Sequence, residues 1–175
     1  MRLFVALPLP DAARAALSRW MQRCGEKPAL RWTPEEQLHI TLHFLGEAAE
    51  DRAGRIADGL SAIEARAFEV TLDRVETLGR GGLLAACGGP NAGLEALERQ
   101  VRSRVAGHGE KAEAGRSFLP HVTLGRARRG MAAPRPGMLP SLPKLEFRAA
   151  CFRLYRSELR REGAVHSVIR EWRLR

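Results

Sequence analysis

Two segments of this 175-residue chain share one pattern, His39-Ile40-Thr41-Leu42 and His121-Val122-Thr123-Leu124, with the histidines 82 positions apart. On a strand, residues i and i+2 project to the same face. Each segment therefore offers an imidazole and a hydroxyl together, while Ile40 and Val122 turn towards apolar packing. Brought together across a cleft, two imidazoles and two hydroxyls suit displacement at phosphorus without a metal. One histidine takes a proton from the attacking oxygen and the other gives one to the leaving oxygen. With an unperturbed pKa of about 6.5, such a pair holds one neutral and one protonated ring near neutral pH. The hydroxyls donate to the non-bridging phosphate oxygens and stabilise developing charge. No G-x-S-x-G, Walker A or H-E-x-x-H pattern competes with this reading.

The elements that must carry these motifs repeat as well. A strand at Arg2–Leu7 is broken by Pro8-Leu9-Pro10, and Asp11 is placed to cap a helix over Ala12–Arg23. Leu38–Leu45 reads as the first motif strand, ended by Gly46. A helix over Glu47–Arg66 turns Ile56, Leu60 and Ile63 inward. Phe68, Val70 and Leu72 alternate with polar residues as a half-buried strand does. Gly79–Gly82 is a turn and Leu83–Cys87 a strand. Asn91 caps a helix with the apolar stripe Leu94, Leu97, Val101 and Val105, closed by Gly107 and Gly109. Pro-His-Val-Thr-Leu within Leu119–Gly125 is the second motif strand. Residues 130–143, with four prolines, form a long loop suited to covering a cleft. Leu145–Tyr155 reads as one strand and Ala164–Leu174 as the last. Pro, cap, Leu and Arg recur 80 residues apart (Pro10 and Pro90, Asp11 and Asn91, Leu17 and Leu97, Arg19 and Arg99). Similarity at nearly half the chain length predicts two related lobes about a pseudo-twofold axis, each bringing one His-x-Thr to a shared cleft.

Composition is compatible with one two-lobed domain over residues 1–175. A hydrophobic share of 45% supports a packed core, and 29 Lys plus Arg against 20 Asp plus Glu give a net charge of +9. That balance favours a polyanionic partner such as RNA or a nucleotide. No apolar run is long enough for a membrane span, and the run after Arg2 is too short for a secretory leader. Cys24, Cys87 and Cys151 are odd in number and far apart, as expected of reduced thiols in a cytoplasmic protein.

With these motifs in view, the chain resembles the two-histidine phosphoesterase superfamily, specifically the LigT-like RNA 2′,3′-cyclic phosphodiesterases. The matching stretches are Arg2–Leu7, Leu38–Gly46, Phe118–Arg126, Phe152–Ser157 and Glu171–Leu174. The resemblance implies an α+β, bilobal, duplicated fold, with two antiparallel-rich sheets lining a central cleft and helices outside. It implies metal-independent hydrolysis of RNA 2′,3′-cyclic phosphates to 2′-phosphates, with no cofactor. His39 would protonate the leaving 3′ oxygen, His121 would activate water, and Thr41 and Thr123 would hold the phosphate. Phe44 and Arg126, each five residues after its motif histidine, would contact the nucleoside by stacking and cation–π attraction. Where relatives commonly carry a Tyr in the final strand, this chain has His166, a departure that bears on specificity.

The remaining candidates carry weaker signals. His43 shares the face of His39 and Thr41 if the strand stays regular, where it supports those side chains from behind or faces solvent. His108 lies in a glycine loop. Arg128 and Arg129 extend Arg126 into a basic rim for RNA phosphates, and Trp32 reads as core. Water and an RNA hydroxyl both remain open as the attacking group, so a 2′-5′ RNA ligase or 2′-5′ phosphodiesterase uses the same site. A non-catalytic RNA-binding module is the remaining alternative. Both lobes complete one site, so a monomer suffices.

Overall fold

The computed structural model describes residues 1–106, 118–160 and 163–175. Its elements are β1 (Arg2–Pro8), α1 (Asp11–Cys24), β2 (Leu30–Trp32), β3 (His39–Glu47), α2 (Glu50–Leu60), β4 (Phe68–Leu72), β5 (Arg74–Leu78), β6 (Leu83–Cys87), α3 (Ala92–Val105), β7 (His121–Ala127), β8 (Leu145–Ala149), β9 (Cys151–Arg160) and β10 (Gly163–Arg173). Eight strands form one sheet in the order β10-β9-β1-β3-β7-β6-β5, with β2 also on β7, and β4 pairs with β8 separately. All the pairs are antiparallel. The large sheet is two halves joined at a single residue pair, Ile40 with Val122. This α+β arrangement is the one expected, and the narrow junction of the large sheet falls between the two motif strands.

Alternation along the motif strands decides which face is covered. Ile40, Leu42, Val122 and Leu124 are buried in one cluster with Leu17 and Trp20 of α1, Ile56 and Leu60 of α2, and Leu94, Leu97 and Val101 of α3. The helices thus cover one face of the sheet, and α3 packs on both β3 and α2. The opposite face keeps His39, Thr41, His121 and Thr123 half-open to solvent. No helix among the described residues is long and apolar enough to cross a membrane.

Four local expectations need correction. Asp11 does not cap α1: Pro10 holds the cap position, and the Asp11 carboxylate accepts a hydrogen bond from Arg14 at 2.6 Å. Asn91 does cap α3, accepting from the Leu94 N–H at 3.0 Å. The second helix is shorter than 47–66. Gly46, at φ +66°, carries β3 on to Glu47 instead of ending it. At the other end, Ala65 and Ala67 bond through their backbones to Arg175, which a continuing helix would prevent. Leu145–Tyr155 is two strands: the chain leaves the small sheet at Ala149 and enters the large one at Cys151. Apolar alternation reads the same in both and cannot reveal the change of sheet.

The 130–143 loop does not cover the histidines. The Trp20 indole of α1 donates to the Pro140 and Ser141 carbonyls at 3.1 and 3.2 Å, and Leu142 is buried in the core. The loop is docked on the helical side. Trp32 packs against the core, edge-on to Trp20, as its core reading requires. Cys24 and Cys87 are buried, and burial pushes the Cys87 thiol up to about 11, so it stays protonated and unreactive. Gly107, His108 and Gly109 lie outside the described residues.

Candidate active site

The Ile40–Val122 pair sets the two motifs antiparallel. Extended by one residue on either side, that register places His39 opposite Thr123 and Thr41 opposite His121. The four groups therefore alternate as a diagonal pair of imidazoles and a diagonal pair of hydroxyls. Neither strand alone contains this arrangement.

The residues five positions after each histidine pose a parity problem. On a regular strand i+5 faces away from i and i+2. Each motif strand resolves it with a bulge directly after its threonine. On β3, Thr41 pairs with Ala6 but His43 pairs with Val5, so Leu42 is the extra residue. On β7, Thr123 pairs with Ala85 but Gly125 pairs with Leu84, so Leu124 is the extra residue. One extra residue inverts the alternation beyond it. Phe44 then lies opposite Phe4, with their rings 6.1 Å apart, and Arg126 lies opposite Leu83. Both are turned to the histidine face. The condition attached to His43 fails for the same reason: the strand is irregular, and His43 pairs with Val5 outside the His39–Thr41 row. Gly125 is required at the second bulge, because a Cβ there would stand 2.8 Å from the Leu30 side chain and 3.0 Å from the Arg31 carbonyl of β2.

Hydrogen bonds orient both imidazoles. His39 Nδ1 lies 2.7 Å from the Gln37 carbonyl and His121 Nδ1 lies 2.8 Å from the Leu119 carbonyl, each two residues back. A carbonyl only accepts, so each Nδ1 carries a hydrogen and each Nε2 is the atom left for chemistry. His39 Nε2 lies 3.1 Å from Thr41 Oγ1. In the neutral ring it accepts from that hydroxyl.

An aromatic wall surrounds His39. The Phe4 ring is 5.0 Å from His39, stacked on Tyr155 at 5.0 Å and meeting His166 edge-on at 4.9 Å. His166 itself stands 5.6 Å from His39. So His166 stands on the histidine face beside His39, and its Nδ1 is buried without a hydrogen-bond partner among the described residues. Sequence reading singled out His166 but gave no site role to Phe4 or Tyr155. The apolar run of β1 shows no alternation to mark Phe4 as cleft-facing.

This wall has an electrostatic consequence. Burial, reinforced by the nearby His166, His121 and Arg126 and opposed by the Gln37 carbonyl, lowers the His39 pKa to about 4. Burial and then Arg126 lower that of His166. His39 is therefore neutral at pH 7. Its folded pKa lies below the unfolded value, so it removes stability as pH falls from about 6.5 towards the folded pKa and is without effect above. Nuclear magnetic resonance should show the His39 ring titrating near pH 4 in the free protein, and at higher pH once inorganic phosphate occupies the cleft. A free-protein midpoint at the unperturbed value would contradict the burial argument.

A two-part antiparallel sheet with helices on one face, and with His-x-Thr motifs meeting on the other, defines the class as a two-histidine phosphoesterase. The chain belongs to the 2′-5′ RNA ligase superfamily, whose profile matches residues 9–161. It is 32% identical to an RNA 2′,3′-cyclic phosphodiesterase of Thermus thermophilus over 100% of this chain and 91% of that one. It is 30% identical to the protein of that name from Escherichia coli, over 99% and 96%. Among solved structures, E. coli LigT complexed with 3′-AMP superposes with a TM-score of 0.83 at 28% identity, covering 99% of this chain and 97% of that one.

Proposed function

We propose that residues 1–175 act as one two-lobed, metal-independent RNA 2′,3′-cyclic phosphodiesterase, working as a monomer in the cytoplasm and leaving a 2′-phosphate. The observation that carries this reading is the antiparallel meeting of His39-x-Thr41 with His121-x-Thr123 about the Ile40–Val122 pair. The names of the full-length relatives support the substrate class.

Each side chain has one task. His121 Nε2 accepts a proton from water as the water oxygen bonds to phosphorus. The bond from phosphorus to the 3′ oxygen breaks, and His39 Nε2 gives its proton to that oxygen. The products are a 2′-phosphomonoester and a free 3′ hydroxyl, and the two histidines have exchanged protonation states. Burial keeps His39 neutral at pH 7 on its own, so the phosphodiester anion raises its pKa on binding. Opposite charge within a few ångströms does so, which ties proton loading to the presence of substrate. Thr41 and Thr123 donate to the non-bridging oxygens. Phe44 and Arg126 bracket the nucleoside by stacking and cation–π attraction.

The test is phosphorus NMR of an oligonucleotide ending in a 2′,3′-cyclic phosphate, incubated with the protein in EDTA. Conversion to the 2′-phosphate is expected. A 3′-phosphate product would mean that the other oxygen leaves and that the roles above are misassigned. Joining to an added RNA 5′ hydroxyl in preference to hydrolysis would identify the ligase alternative.

A further inference from the structure

Away from the histidines, four arginines gather where β2 meets the end of β7. A cavity of about 290 Å³ there is lined by Arg31, Arg126, Ala127, Arg128 and Arg129. Arg31 and Arg126 are register partners across the two strands, so their side chains leave the same face of the sheet. Like charges placed directly opposite destabilise a sheet. No carboxylate among the described residues pairs with any of these four arginines, although ten other arginines have such a partner. The backbone that carries them is pinned. The Arg128 N–H donates to the Ala29 carbonyl at 2.8 Å, the Ala127 N–H to Gly82 at 2.9 Å, and the Met131 N–H to Arg128 at 2.9 Å. Gly130 completes the turn at φ +77°. The result is a preformed cationic pocket without a counter-charge, opening beside Arg126 and therefore beside the cleft.

We propose that Arg31, Arg128 and Arg129 bind a phosphate attached to the 5′ oxygen of the nucleotide whose cyclic phosphate is opened, so that the protein selects chains over lone cyclic nucleotides. This rests on the reaction proposed above. Thr123, which holds the reacting phosphate, pairs with Ala85 and Arg126 with Leu83, so the bulge leaves them two ladder positions apart, about 7 Å at ~3.3 Å per residue. One ribose with its 5′ oxygen, met by the reach of an arginine side chain, spans that gap. Guanidinium groups suit the ligand, because their planar forks bind phosphate through paired charge-assisted hydrogen bonds.

Three substrates test it: adenosine 2′,3′-cyclic phosphate, its 5′-phosphorylated form, and a diadenylate ending in the cyclic phosphate. In the unmodified protein kcat/KM is expected to be about tenfold or more higher for at least one of the last two, the scale of a charge-assisted contact. The Arg31→Gln/Arg128→Gln variant should lose that excess and leave turnover of the lone cyclic nucleotide unchanged. An Arg23→Gln/Arg66→Gln variant, with the same charge removed elsewhere, should keep it. A gain with the 5′-phosphorylated nucleotide means that any phosphate suffices; a gain with the diadenylate alone means that the pocket requires a diester. Equal kcat/KM for all three substrates overturns the proposal, as does an excess that survives in Arg31→Gln/Arg128→Gln or is lost equally in the control. If no cyclic substrate is hydrolysed, the reaction reading fails, and binding of a diadenylate 3′-phosphate relative to adenosine 3′-phosphate decides the pocket. Preference for the diadenylate that disappears in Arg31→Gln/Arg128→Gln upholds the pocket; a preference that is absent or unchanged by those substitutions overturns it.

Discussion

Replacing either His39 or His121 with alanine is expected to lower kcat for a 2′,3′-cyclic phosphate by about 10²–10⁴, the range for loss of one positioned acid or base. The double variant should be little worse than the weaker single one, because acid and base act in the same step. Substrate affinity should change far less than kcat. Both rings are oriented by a backbone carbonyl two residues earlier, so removing a ring leaves its strand register intact. The two variants should also differ in their pH response. His39 has a depressed pKa in the free protein, so the dependence of kcat/KM on acidification should carry its titration near pH 4 and lose that limb in His39→Ala. A His39→Ala or His121→Ala protein that retains turnover within a few-fold, at any pH, would falsify the two-histidine mechanism.

Removing the hydroxyls should have the next largest effect. Thr41→Val and Thr123→Val are each expected to lower kcat by about 10²–10³, the usual cost of one donor aimed at developing charge. The two should not be equivalent. Thr41 Oγ1 also lies 3.1 Å from His39 Nε2, whereas the structure gives Thr123 no such bond to His121. Thr41→Val should therefore shift the acid limb of the pH profile, while Thr123→Val should lower the whole curve without moving it. Serine at either position should restore most of the rate. Equal and pH-independent effects of both valines would mean that the Thr41–His39 contact has no part in setting the proton.

Much of this site was legible from residue types and spacing. The His-x-Thr repeat puts each imidazole on the same face as its hydroxyl through the two-residue period of a strand, and Ile40 and Val122 point the other way into the core. The apolar stripe of α3 and its Asn91 cap were also readable, because they depend on neighbours within a few residues. What depended on distant partners was not. Helix α2 is shortened by a pairing with Arg175, and the strand after Leu145 divides between two sheets. The place of Phe4 and Tyr155 against His39 follows from the order β9-β1-β3, which periodicity along one strand does not encode.

The bulges show where the division lies. The sequence by itself determined that two imidazole–hydroxyl pairs exist, that each sits on an alternating strand, and that the chain carries an excess of positive charge. It also placed Phe44 and Arg126 at the same offset from their histidines, but an offset of five on a regular strand points away from the site. Only the tertiary structure turned them inward, because β1 and β6 each pair around one extra residue after the threonine. The same holds for the diagonal of the two motifs and for Arg31 facing Arg126. Strand register is set by the packing of a whole sheet over its helices, and local sequence does not specify which distant strand will supply the partner.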